Sequence, residues 1–148
     1  MRVAAATPEA MQALGERIAE TLRPGDLVML CGPLGAGKTT LAQGIGRGLG
    51  VEGVVSPTFV IARVHRGGNL PLVHVDAYRL GSVAEVDDLD LDASLEESVT
   101  LVEWGEGLVE GLAGDRLEIR IDRDADVEER TVDIAGVGPR WAAADFAR

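Results

Sequence analysis

Lysine is nearly absent from this chain: of its 14 lysine and arginine residues, only Lys38 is a lysine. Basic charge is scarce altogether, because those 14 residues face 25 acidic ones for a net charge of −11. Long-range attraction to nucleic acid or to an anionic membrane is therefore disfavoured, and any service to RNA would run through another protein. The single cysteine, Cys31, excludes an internal disulfide, and its place at the end of an apolar run reads as a small core residue rather than a reactive thiol. No apolar run reaches the length of a membrane span, and the first residues lack the basic start and small-residue cleavage site of a secretory signal, so the expected compartment is the cytoplasm. Repeats, low-complexity linkers and composition breaks are missing too. With 148 residues and 46% hydrophobic content, the expectation is one domain over residues 1–148 with a sizeable core.

What is present begins with Cys31-Gly32-Pro33-Leu34-Gly35-Ala36-Gly37-Lys38-Thr39-Thr40, which satisfies G-x-x-x-x-G-K-[ST] from Gly32 to Thr39. Glycines at this spacing let successive backbone N–H groups turn inward around an anion, and the helix that follows points its positive dipole end at the same place. Gly35, Ala36, Gly37 and Thr40 are the expected amide donors, Lys38 the point charge on the β- and γ-phosphates, and the Thr39 hydroxyl a Mg²⁺ ligand. Glycine-rich turns also match this pattern by chance, so context matters. Leu27-Val28-Met29-Leu30-Cys31 is an uninterrupted apolar run, as a parallel strand covered on both faces requires, and a helix-like segment follows. The lone lysine points the same way, since a wide planar guanidinium does not fit a site built for a compact ammonium.

Upstream, residues 2–6 suit a short edge strand, and Thr7-Pro8-Glu9 reads as a helix start, with Met11, Leu14, Ile18 and Leu22 at helical spacing behind it. The helix after Lys38 carries Gly44, Gly46, Gly48 and Gly50, each costing up to about 1 kcal/mol relative to alanine. Either close packing against the sheet requires those glycines, or the C-terminal half of the helix frays until nucleotide orders its N-terminus. Phe59 to His65 reads as a strand, Gly67-Gly68-Asn69 as a hairpin turn and Leu70 to Val75 as the returning strand. If the returning strand runs parallel to the P-loop strand, the outgoing one is antiparallel. The expected fold is thus α/β, a P-loop NTPase domain with a mixed parallel and antiparallel central sheet flanked by helices.

Two apolar runs end in an acid, Leu72-Val73-His74-Val75-Asp76 and Thr100-Leu101-Val102-Glu103, and such a carboxylate at a strand end is where a P-loop protein holds Mg²⁺. The acidic block from Glu85 to Glu97 reads as solvated surface, with docking of a basic partner as the functional alternative. Leu117 to Ile121 alternates as a half-exposed strand with Arg130 to Ala135 as its partner. Asp122, Asp124 and Asp126 between them resemble a calcium loop, but Val127 stands where glycine is needed and Asp133 where glutamate is, so a polar hairpin is the better account. The tail from Pro139 reads as a last short helix.

Taken together, GPLGAGKTT at 32–40, SPTF at 56–59, HVDAYRL at 74–80 and VEW at 102–104 resemble the bacterial TsaE family across nearly the whole chain. The resemblance implies a small ATPase of tRNA threonylcarbamoyladenosine biosynthesis that binds ATP and Mg²⁺, hydrolyses ATP slowly alone, and works with the TsaB and TsaD proteins. Lys38 would then sit on the phosphates, Thr39 and Glu103 would ligate Mg²⁺, and Asp76 would ligate through water or position the attacking water. Thr58 would be a switch residue near the γ-phosphate and Trp104 a neighbour of the metal ligand, while Thr7 and the loop from Asp122 to Glu129 would approach the adenine. Pro33 departs from the acid usual after the first P-loop glycine, which touches only the loop's detailed conformation.

The leading expectation is an ATPase that energises or regulates partners, with slow basal turnover. The runner-up is a small-molecule or nucleoside kinase, which would need an acceptor pocket and an arginine-bearing lid, and no segment reads as a lid. A nucleotide-switched binding module is a third class. A GTPase is disfavoured because no N-K-x-D element exists.

Overall fold

The computed structural model describes residues 2–33, 36–51, 62–65, 70–76, 97–103, 115–123 and 129–141. Gly35, Thr58, Trp104, most of the acidic block and the tail beyond Trp141 lie outside them, and Asp76 is described through its backbone alone. In chain order the elements are β1 (Arg2–Ala5), α1 (Pro8–Ala19), β2 (Leu27–Cys31), α2 (Lys38–Gly48), β3 (Ala62–His65), β4 (Leu72–Asp76), β5 (Val99–Glu103), β6 (Arg116–Arg123) and β7 (Arg130–Val137), closed by a 3-10 turn over Pro139–Trp141.

Among the described residues the strands form one seven-stranded sheet in the order β1-β7-β6-β2-β5-β4-β3. The P-loop strand β2 runs parallel to both neighbours, β5 and β6, and β4 runs parallel to β5. The β3–β4, β6–β7 and β1–β7 pairs are antiparallel. Short connections make the consecutive β3–β4 and β6–β7 pairs antiparallel and the central parallel pairs need long crossovers, whereas the antiparallel β1–β7 pair joins strands from distant parts of the chain. All five residues of β2 and of β5 are buried, as expected of strands covered on both faces.

Both described helices pack on one face of the sheet. Met11, Leu14 and Ile18 of α1 and Leu41, Ala42 and Ile45 of α2 share a hydrophobic cluster with Val28 and Leu30 of β2, while Leu27, Met29 and Cys31, at the alternate positions, are buried outside that cluster. Thr7 starts α1 as read from the sequence: its backbone is extended, its hydroxyl accepts from Ala10 N at 3.1 Å, and Pro8 takes the first helical position. Two of the α2 glycines, Gly44 and Gly48, serve close packing, against α1 rather than the sheet. A Cβ at Gly44 would land on the Gln12 carbonyl of α1, and one at Gly48 would come within 2.5 Å of Ala19 Cβ.

At the sheet's opposite end from the P-loop, Arg140 ties the 3-10 turn to the entrance of β2. It donates to Asp26 Oδ2 at 3.0 Å and to the Thr21 carbonyl, and its guanidinium lies 4.1 Å over the Trp141 ring. No helix among the described residues is long and apolar enough to cross a membrane.

Candidate functional site

The site begins where β2 hands over to α2. Ala36 N donates to the Pro33 carbonyl at 3.1 Å, closing the described part of the loop, and Gly37 then enters α2 at φ +113°, a conformation open to glycine and costly for side-chain-bearing residues. As the N-cap, Gly37 offers no side chain to satisfy the helix, so the amides of Thr39 and Thr40 have no acceptor one turn back within α2. An anion is the natural complement of such a helix start. Lys38 follows at the first helical position, only 6% exposed, and its Nζ donates to the Gly32 carbonyl at 2.7 Å across the loop. The ammonium is therefore held inside the loop that the glycines shape.

The second part of the site lies at the C-terminal ends of β4 and β5. Leu30 of β2 registers with Glu103 of β5, and Glu103 with Asp76 of β4, so both acids stand at the same end of the sheet as the P-loop. Glu103 shares its face of the sheet with Leu30 and Leu101, which is the face that carries α2. Its carboxylate is nearly dry, with 4% of the side chain exposed, and Oε2 lies 2.7 Å from Nε2 of His74, whose side chain is fully buried. An ionised carboxylate can only accept, so Nε2 carries the proton in this pair.

Beside the P-loop opens a cavity of about 320 Å³. Ala5, Thr7 and Met11 line it from the β1–α1 junction, Ala36, Gly37 and Thr40 from the P-loop, and Arg130 from the start of β7. Arg130 Nε also donates to the Ala36 carbonyl at 3.3 Å, fastening β7 to the loop. The volume lies at the low end of small-ligand pockets, and its walls combine apolar side chains with a few polar groups.

Of the residues expected to act, the structure brings Ala36, Gly37, Lys38, Thr39 and Thr40 together at the head of α2, places Thr7 on the cavity that borders them, and aligns the Asp76 backbone with Glu103. Gly35, Thr58 and Trp104 lie outside the described residues. Two neighbours were given no role from the sequence. His74 stands there only as the first residue of the HVDAYRL stretch, and Arg130 only as the first residue of a hairpin strand. Metal chemistry is compatible with the donors present: the Thr39 hydroxyl and the Glu103 carboxylate are hard oxygens, and Mg²⁺ is commonly held by one or two such groups plus phosphate.

Comparison with known proteins converges on one group. The sequence model of the family described as threonylcarbamoyl adenosine biosynthesis protein TsaE matches residues 5–132. A tRNA threonylcarbamoyladenosine biosynthesis protein TsaE of Streptomyces coelicolor is 63% identical over 142 residues, covering 91% of this chain and 96% of its own. Its namesake in Bacillus subtilis is 42% identical, covering 90% and 84%. Among solved structures, the crystal structure of Bacillus subtilis YdiB superposes with a TM-score of 0.79 at 35% identity, covering 95% of this chain and 88% of that one.

Proposed function

We propose that this chain, which belongs to the TsaE family of threonylcarbamoyl adenosine biosynthesis proteins, is the ATP-hydrolysing member of an assembly with the TsaB and TsaD proteins. Its part in tRNA threonylcarbamoyladenosine biosynthesis follows from the family. The ATPase activity, the Mg²⁺ requirement and the identity of the partners are our reading. One observation carries it: a buried lysine on an uncapped helix start, in the strand, loop and helix order of a phosphate site, with a dry carboxylate on the adjacent parallel strand.

In this reading the phosphates lie on the amides at the head of α2, and Lys38 Nζ gains a charged acceptor where it now has the Gly32 carbonyl. Gly35 would add an amide from the other side of the loop. Thr39 and Glu103 would hold Mg²⁺, which supplies charge neutralisation to the transferring phosphoryl group. Asp76, in register with Glu103, would hold the attacking water, and Thr58 and Trp104 would follow the nucleotide state. The cavity beside Thr7 takes the nucleoside; among the described residues Arg130 is the cationic side chain lining it, and its planar guanidinium suits the face of a purine. Phosphoryl transfer asks for positioning and charge more than covalent chemistry, so slow turnover alone and faster turnover with partners that complete the charge set are expected.

The test is ATP hydrolysis by the purified protein with Mg²⁺, alone and with TsaB and TsaD from the same source. Turnover should rise at least about tenfold in the assembly, a lowering of the barrier by roughly 1.4 kcal/mol. Lys38→Ala should remove hydrolysis in both conditions with the fold retained by circular dichroism. Hydrolysis indifferent to the partners would overturn the assembly reading, and unchanged turnover in Lys38→Ala would overturn the phosphate site.

A further inference from the structure

The His74–Glu103 pair is difficult to explain as packing. His74 registers with Leu101 across the β4–β5 ladder, and along its own face of β4 it follows Leu72, both fully buried. A leucine or valine would suit such a position, since a buried imidazole must find partners for two ring nitrogens. Only one is served: Nε2 meets Glu103 Oε2 at 2.7 Å, while Nδ1 is buried with no hydrogen-bond partner among the described residues. Glu103 is equally out of place in a core, being a carboxylate with 4% of its side chain exposed at the end of a strand that is otherwise apolar apart from Thr100. Neither polar group is needed to close the sheet. Each makes sense if the other has a task.

We propose that His74 is a positioning residue for Glu103, its Nε2–H holding Oε2 so that the carboxylate keeps one orientation at the C-terminal end of β5. The inference rests on the reading above that Glu103 is a metal ligand, and it adds the group that orients that ligand. A glutamate side chain has three rotatable bonds, and at a strand end it would sample several rotamers. A fixed hydrogen bond from a fully buried ring removes that freedom before any cation arrives, as outer partners of metal ligands do elsewhere. The Nε2–H tautomer also leaves Nδ1 as a bare acceptor, which is easier to bury unpaired than an N–H.

The experiment compares His74→Leu, His74→Gln, His74→Asn and Glu103→Gln. Gln carries an N–H of similar reach to Nε2, and Asn carries one that falls short. Two quantities are read on the intact protein: Mn²⁺ affinity in the presence of a non-hydrolysable ATP analogue, by electron paramagnetic resonance, and affinity for the same analogue in EDTA. His74→Leu should weaken Mn²⁺ binding roughly 10–100-fold, the usual scale for lost outer partners, and leave metal-free nucleotide affinity within about twofold. Gln should recover most of the loss and Asn little of it. If Leu does not fold, the Gln and Asn pair decides, since both bury an amide and only one reaches Glu103.

Equal Mn²⁺ affinity in Gln and Asn, or wild-type affinity in Leu, would overturn the inference while Glu103→Gln still weakens the metal. Wild-type Mn²⁺ affinity in Glu103→Gln would instead overturn the ligand reading itself, so the two failures are distinguishable.

Discussion

At the edge of the sheet Arg2 Nε donates to Asp133 Oδ1 at 2.9 Å, joining the first strand to the last across the β1–β7 ladder. That hydrogen bond, ahead of the charge attraction, holds the Asp133 carboxyl below its ordinary range. Because the folded value is lower than the unfolded one of about 3.9, the carboxylate contributes stability above that pH and loses it as the pH falls through the lower folded value. Asp133→Asn should therefore lower the melting temperature slightly at pH 7, with the difference from the parent closing below about pH 4; a difference that persists unchanged in acid would refute this assignment. The effect is small because the Arg2 side chain is 74% exposed and solvent screens the pair. Elsewhere at this scale, legibility depended on whether a residue's role is written in its neighbours. Lys38 and Thr39 are named by the glycines around them, and Glu103 by the apolar run before it. His74 opens the HVDAYRL stretch, yet nothing there points to Glu103, because that partner is 29 positions away.

Gly44 settles what the sequence left open about α2. Helix propensity alone says that alanine there is better by about 1 kcal/mol, whereas the approach of α1 says that there is no room, since the Gln12 backbone occupies the place of a Cβ. The two effects have opposite signs, and overpacking against backbone outweighs propensity at typically 1–3 kcal/mol. Gly44→Ala is thus expected to lower the urea midpoint at constant slope; a raised midpoint would mean that the helices separate freely and the glycines serve flexibility. The elements themselves were largely legible. The mixed sheet, the β3–β4 hairpin, the β6–β7 hairpin and the cap at Thr7 all follow from local patterns of period, turn and cap residues. Strand order was not: nothing in the alternation of Leu117 to Ile121 says that β6 lies parallel against β2, because that pairing joins Leu30 to Ile119 without any local signal.

Across the whole molecule, the cavity at the P-loop is assembled from parts that are remote in the chain. Ala5 and Thr7 come from the first turn of the fold, Gly37 and Thr40 from the head of α2, and Arg130 from the start of β7, so a ligand there would bridge the edge of the sheet to its centre. Anything that binds the folded state alone stabilises it by mass action, about 2.7 kcal/mol at a hundredfold excess over its dissociation constant. For a chain of 148 residues, at about 2–4 °C per kcal/mol, this corresponds to a rise in melting temperature of about 5–11 °C. A non-hydrolysable ATP analogue with Mg²⁺ should produce that rise in a thermal melt, and the matching GTP analogue a smaller one. Lys38→Ala should melt within a degree or two of the parent without nucleotide, because a Lys38 ammonium held inside the phosphate loop beside the Gly32 carbonyl contributes more to binding than to folding, and should lose the shift when nucleotide is added. An undiminished shift in Lys38→Ala would place the nucleotide elsewhere than at the head of α2. A shift lost in both proteins would remove the nucleotide reading of the cavity altogether.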